Sequence, residues 1–277
     1  MEDKILEAGV LEIAIENVQS LSHEEYTLVR KNYFGASDSS ILCGVNLYKS
    51  IEDLIKEKNA KFITQEEKEV GEKPIVKKGY DIEPIILQKA EEELAEHGYL
   101  GQLIKPQHMY KFKNVNGLSV NYDGVFVSDD KPLIPVEAKL VSKYGEKYYN
   151  KTITIEDAKR VNVTDTDVEV QTHIKQMATR LGIPAYYYTQ VQQEIAGLNA
   201  PYGFLAAMFD ETWSFKLYYI PRDEGTIQAI YNLVKQAKAT VVGFAFVVSL
   251  SGLPGLKLLN DNYHLPVVAL ADYNNKE

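Results

Sequence analysis

At 277 residues, 45% of them hydrophobic and 25% charged, the chain is long enough to bury a real core and has the composition of an ordinary globular protein. Its single cysteine, Cys43, excludes a disulfide framework, a four-cysteine zinc site and a four-cysteine iron–sulfur cluster within the chain. The net charge of −9, from 30 basic and 39 acidic residues, argues against nonspecific nucleic-acid binding over the whole surface, but not against a groove that concentrates its cations.

The opening residues, MEDKILEAGV, show no basic region followed by an apolar core. The longest apolar run, Val241–Leu250, is too short to span a bilayer and reads as a buried strand or helix. A cytoplasmic protein is expected. Residues 1–22 read as a helix or a loosely attached arm. Ser22, with Glu25 three residues on, completes a capping box for a helix to Arg30. Gly35 then breaks the chain, and Ser37 or Asp38 is placed to cap a short helix through Leu42. A charged helix follows over 50–70. Lys78–Gly98 is the strongest helix of the first half, with Ile82, Ile86, Ala90 and Leu94 recurring at i+4, Pro84 in its first turn and Gly98 at its end. Glu83 at this helix start reads, from pattern alone, as a solvated first-turn carboxylate. Tyr99–Phe112 is expected to form a strand pair.

The next stretch carries the chemistry. Leu118–Val127 and Leu133–Val141 are β-type runs around a polar turn of Ser128, Asp129, Asp130, Lys131 and Pro132, the pattern of a hairpin. Asp123 lies on the first run. Glu137 and Lys139 lie two apart on the second, so their side chains leave the same face. Charges amid apolar strand residues are costly to bury without compensation, and a divalent cation on Asp123 and Glu137 would supply it, hard oxygen ligands suiting Mg²⁺. An acidic residue two before a lysine also occurs at Glu2, Glu66, Asp129 and Asp157, in charged or turn-like surroundings; only Glu137 is enclosed by strand formers. The pattern reads as a metal-dependent phosphodiesterase centre.

Residues 142–183 are the least regular region. Lys139, Lys143, Lys147 and Lys151 interleave with Tyr144, Tyr148 and Tyr149, a composition that fits a nucleic-acid track or an exposed loop equally. Gln171–Leu181 and Ala185–Leu198 are predicted helices, the second closed by Gly197 and Asn199. Phe204–Phe209 and Trp213–Ile220 form a predicted hairpin around Asp210 and Glu211, and Asp223–Ala239 a final amphipathic helix. Strands at the centre with helices before and after give an α/β (α+β) sheet core. A single domain is expected: an arm over 1–22, a core over 23–240 with an insertion at about 142–183, and a tail over 241–277.

In order along the chain, RKNYFGAS with Arg30 and Ser37, GYDIE over Gly79–Glu83, Asp123-Gly124, Glu137-Ala138-Lys139, and Gln190 in YYYTQVQQEIAG resemble the phage exonuclease family of lambda-exonuclease and YqaJ type, within the restriction-endonuclease-like PD-(D/E)XK superfamily. The resemblance spans roughly Arg30–Ala239. It implies a central mixed sheet flanked by helices. It also implies that Asp123 and Glu137 ligate Mg²⁺, with Mn²⁺ able to substitute, and that Glu83 completes the shell. Lys139 would position or deprotonate the attacking water, Gln190 would orient the site, and Arg30 and Ser37 would contact the 5′-phosphate of a DNA strand. A ring-shaped trimer and a single-strand annealing partner belong to the same implication. The activity expected is 5′-to-3′ exonuclease digestion of duplex DNA ends in recombination or repair. The alternatives are a structure- or sequence-selective endonuclease on the same fold and a non-catalytic DNA-binding or assembly protein. The length of the 142–183 insertion and the acidity of the chain depart from the family pattern.

Overall fold

The computed structural model describes residues 3–129, 131–163, 169–238, 244–246, 249–250, 267–269 and 272–273. The chain divides into two compact units, Met1–Ala237 and Lys238–Glu277.

The first unit opens with α1 (Asp3–Glu7) and β1 (Leu11–Ile15), whose Ile5 and Leu11 are fully buried. The capping box at Ser22 and Glu25 starts α2 (His23–Arg30) as expected. A single 3₁₀ turn over Ala36–Asp38 leads into α3 (Ser39–Leu42), followed by α4 (Ile51–Asn59) and α5 (Gln65–Glu72). Asp38 is the N-cap residue of α3, but its side chain makes no capping bond to that helix. Its carboxylate accepts from the Gly35 amide at 2.9 Å and pairs with Lys58 at 2.6 Å, which fixes the turn.

Helix α6 runs from Pro74 to Glu96, so it starts four residues earlier than the sequence pattern indicates. Pro74 occupies its first turn, where a missing amide is harmless, and Pro84 lies in the helix interior. The consequence falls on Glu83. It is a mid-helix residue, out of reach of the N-terminal dipole that the sequence pattern assigns to it.

Two sheets follow. Strands β2 (Gln102–Ile104), β5 (Gly124–Val127), β6 (Ile134–Val141), β7 (Tyr202–Phe209) and β8 (Ser214–Pro221) form a mixed sheet in the order β2-β5-β6-β7-β8. The β6–β7 pair is parallel and the others are antiparallel. A smaller sheet, β1-β3-β4, joins β3 (Met109–Phe112) and β4 (Ser119–Val120) to the first strand. The expected Tyr99–Phe112 strand pair therefore splits, with β2 and β3 in different sheets. The Leu118–Val127 run splits likewise into β4 and β5, leaving Asp123 just before a strand rather than on one.

Helices cover both faces of the larger sheet. On one side Ile86, Leu87, Ala90 and Leu94 of α6 pack on Phe126, Ile134, Val136, Ala138, Phe204 and Met208. On the other, α9 (Val170–Leu181) and α10 (Ala185–Leu198) pack Ile174, Met177, Tyr188, Val191 and Ile195 against Val125, Leu205 and Ala207. Gly197 does not close α10. It lies inside the helix, where a Cβ would meet the Tyr122 hydroxyl at 2.3 Å, so its role is to admit that ring. Two short helices, α7 (Lys143–Glu146) and α8 (Ile155–Lys159), occupy the irregular region before α9, and α11 (Glu224–Ala237) closes the unit.

The second unit contains the short strands β9 (Phe244–Phe246), β10 (Ser249–Leu250), β11 (Val267–Ala269) and β12 (Asp272–Tyr273), paired in parallel as β9·β11 and β10·β12. The rest of the Val241–Leu250 run, most of the tail, and Asp130 in the hairpin turn lie outside the described residues. Among the described residues no helix is long and apolar enough to cross a membrane.

Candidate active site

A cleft of about 800 Å³ opens where α2, α6, β6 and α10 meet. Strand β6 is its floor, held centrally between β5 and β7. The alternation in IPVEAKLV explains why. Ile134, Val136 and Ala138 turn to the α6 side, which leaves Glu137 and Lys139 to face α10. Glu137 is only 2% exposed.

Asp123 approaches from the turn before β5, where its Oδ2 accepts the Ala138 amide hydrogen at 3.0 Å. Gly124, next in the chain, lets α6 close in: a Cβ there would lie 3.0 Å from Leu87. The Lys139 ammonium hydrogen-bonds Glu137 Oε1 and lies 3.9 Å from Asp123 Oδ2, so it sits against both carboxylates. From α10, Gln190 Nε2 donates to Glu137 Oε1 and, at 3.2 Å, to Glu194 Oε1 one turn later. The Tyr187 ring faces the Lys139 ammonium, its centroid 5.5 Å away.

The electrostatics follow from this crowding. Burial and then the neighbouring Asp123 charge push the Glu137 carboxyl up to about 7, against the pull of Lys139. Burial and the charge of Glu137 hold the Glu194 carboxyl well above the usual range. Burial alone would depress the Lys139 ammonium, but Glu137 and Asp123 outweigh it and keep the group cationic.

The donors suit a hard divalent cation. Asp123 and Glu137 offer carboxylate oxygens about one point, now held by an ammonium, and their mutual repulsion is the deficit that a dication would offset. Glu83, expected as a third ligand, reaches the cleft wall but is paired with Lys105. Among the described residues no three His, Cys, Asp or Glu side chains come together closely enough to hold a metal ion.

Arg30 and Ser37, seven apart in sequence, do converge. Arg30 Nη2 donates to Ser37 Oγ at 3.3 Å, and both line the cleft. The lysine–tyrosine segment divides. Lys143 pairs with Glu211 at 3.0 Å, Lys151 pairs with Glu146, and Tyr149 turns inward against Phe209 and Tyr218. Tyr144 and Tyr148 stay exposed.

Sequence reasoning does not pick out Glu194, Tyr187 or Lys105. Glu194 carries a usable signal, since it lies four residues after Gln190 on a predicted helix and so shares its face. Lys105 and Tyr187 carry none that sets them apart from other lysines and tyrosines.

Residues 25–197 match the model of the YqaJ-like viral recombinase domain. The chain belongs to this family. The match contains every site residue named above. No curated protein matches the chain in sequence. Among solved structures, this YqaJ-like chain is similar to an alkaline exonuclease from Laribacter hongkongensis, with a TM-score of 0.48 and 16% identity over 77% of this chain and 90% of that one. The same exonuclease in complex with dAMP gives 0.46 and 16% over 77% and 89%. A phage-related exonuclease from Haemophilus somnus 129PT gives 0.43 and 12% over 74% and 92%.

Proposed function

We propose that this YqaJ-like protein is a divalent-cation-dependent deoxyribonuclease that removes nucleotides from duplex ends, 5′ to 3′, in phage-type recombination. The observation that carries the reading is the cluster of half-buried Asp123, Lys139 and Gln190 around the buried Glu137 on the floor of an open cleft. Two carboxylates crowded around one ammonium at the foot of a cleft are costly to bury, and groups perturbed in this way concentrate at functional sites.

In this reading Asp123 and Glu137 would hold Mg²⁺, or Mn²⁺ in its place, with Glu83 as the third ligand. Such a cation, when bound, would supply Lewis acidity to a water and offset charge on the scissile phosphate. Lys139, held protonated by its two carboxylates, acts as a cation that favours hydroxide and steadies phosphate oxygens rather than as a base. Gln190 fixes the Glu137 rotamer, and Glu194 backs Gln190. Arg30 supplies a planar guanidinium, and Ser37 a hydroxyl, for the terminal 5′-phosphate. DNA is the partner of the cleft. A trimeric ring and a single-strand annealing protein belong to the same proposal, as does a cytoplasmic site of action in an infected bacterial cell.

Digestion of linear and circular forms of one plasmid, with Mg²⁺ and with excess EDTA, tests it. End-dependent loss of the linear form with Mg²⁺ only is expected. Nicking of the circle would make the protein an endonuclease, and full activity in EDTA would remove the metal.

A further inference from the structure

The tyrosines of the irregular region and of α10 meet in a way the catalytic cluster does not require. Tyr187, at the cleft, packs edge-to-face on Tyr186 with ring centroids 4.5 Å apart. Tyr186 in turn meets Tyr48 edge-to-face at 6.2 Å. Tyr148 lines a shallow cleft with Ala185, the residue before Tyr186. The row leads outward from Lys139 to open surface, for Tyr48 is 79% exposed and Tyr148 40%. Its four members come from three separate stretches: the loop after α3, the loop after α7, and the first turn of α10.

Burial does not explain these rings at the outer end, where apolar surface is left in water. Charge accompanies them. The Lys147 ammonium sits 5.0 Å from the Tyr148 centroid, and Lys147 and Lys175 line one shallow cleft with Tyr148. Rings standing edge-to-face keep faces free for a third planar group, and aromatic faces with flanking lysines are what a flexible, unpaired nucleic-acid strand uses: bases stack while phosphates meet cations. A duplex offers no free base faces, so the occupant is single-stranded.

We propose that Tyr187, Tyr186, Tyr48 and Tyr148 form a stacking track for single-stranded DNA that is continuous with the Glu137 cleft. That the track serves a strand at the point of cleavage rests on the nuclease reading above; that it binds single strands does not.

The test is anisotropy of a fluorescein-labelled oligo(dT) in Ca²⁺, with the full chain, the Tyr48→Ala/Tyr148→Ala double variant and the Tyr48→Phe/Tyr148→Phe double variant. Hydrolysis of the p-nitrophenyl ester of thymidine 5′-phosphate serves as the basal activity. The alanine pair should weaken oligo(dT) binding by roughly 10- to 100-fold, the phenylalanine pair should restore it because stacking needs the ring and not the hydroxyl, and ester hydrolysis should be equal in all three. Equal oligo(dT) affinity in the full chain and the alanine pair, or no binding by the full chain, overturns the track and leaves the nuclease reading intact. Ring-dependent binding by a protein that hydrolyses neither ester nor DNA upholds the track and overturns the nuclease reading instead.

Discussion

Asp223 and Glu137, two of the carboxylates in the interior of this fold, have opposite surroundings. Asp223 precedes α11 and is almost fully buried, yet it is surrounded by donors. Tyr188 and Thr226 hydroxyls reach its Oδ2 at 2.6 Å each, His173 Nε2 is 2.8 Å away, and the Thr226 amide donates to Oδ1 at 3.1 Å. Burial raises its pKa, but the bonds from Thr226, Tyr188 and His173 outweigh burial and hold the carboxyl below its usual value. Glu137, equally buried, is pushed the other way by burial and by a second carboxylate. A carboxylate with donors in excess is a joint between helices; one with donors in deficit is a place kept for something else.

Removing each carboxylate should separate the two roles. Glu137→Ala is expected to abolish cation binding together with DNA cleavage, while Lys139→Ala keeps cation binding and loses roughly 10² to 10⁴-fold in rate, as for a well-placed catalytic group. Calorimetric Mn²⁺ titration beside single-turnover cleavage distinguishes them, and equal cation affinity in the two variants would undo the assignment of Glu137 as a ligand.

Asp223→Ala should do the reverse. It strands Tyr188, Thr226 and His173 inside the protein, for a loss of about 3 kcal/mol, and lowers Tm by roughly 6–12 °C for a unit of this size. Cleavage per folded molecule should be unchanged. A stable Asp223→Ala protein that cannot cut DNA would erase the distinction between the two sites.

Arg30 tests the functional side of the comparison at its rim. Loss of its charged contact to phosphate, on the order of 1.5–3 kcal/mol, should remove a preference of tenfold or more for 5′-phosphoryl over 5′-hydroxyl ends. Rates on the two ends by the full chain and by Arg30→Ala decide it; equal rates for the full chain return Arg30 to the surface.

The smallest effect is on pH. Because the folded pKa of Asp223 is depressed below its ordinary 3.8, its contribution to stability is present above that value and is lost as pH falls through the folded pKa. Urea denaturation from pH 5 to 2 should therefore give a shallower acid slope for Asp223→Asn than for the parent chain. An unaltered slope would mean that the donors around Asp223 do not favour its charged form.

The contrast between the two carboxylates was only half legible in the sequence. Asp123, Glu137 and Lys139 stand out because charges interrupt an apolar hairpin, and strand periodicity puts two of them on one face. Gln190 and the Arg30–Ser37 pair needed the family pattern, since their convergence depends on how three helices pack. Glu83 was misplaced because Pro84 invites a first-turn reading, whereas Pro74 had already taken that position and tertiary packing carries α6 through the second proline. Gly197 looked like a terminator because close approach of a ring from β4's neighbour Tyr122 leaves no local trace. Asp223 carries no local signal of its role, because its partners His173 and Tyr188 are 50 and 35 residues away, beyond any local periodicity.

One pairing has a consequence for how the protein is made. Leu11 of β1 bonds in register with Phe112 of β3, so the first strand waits until about a hundred further residues have been synthesised. At 5–20 residues per second that delay is roughly 5 to 20 s. The parallel partner of β6 arrives later still, since Glu137 pairs with Leu205 and takes its hydrogen bond from Gln190. A ribosome-bound chain thus carries Asp123, Glu137 and Lys139 well before it can assemble them into one centre, and the cluster comes into being only as the last third of the protein emerges.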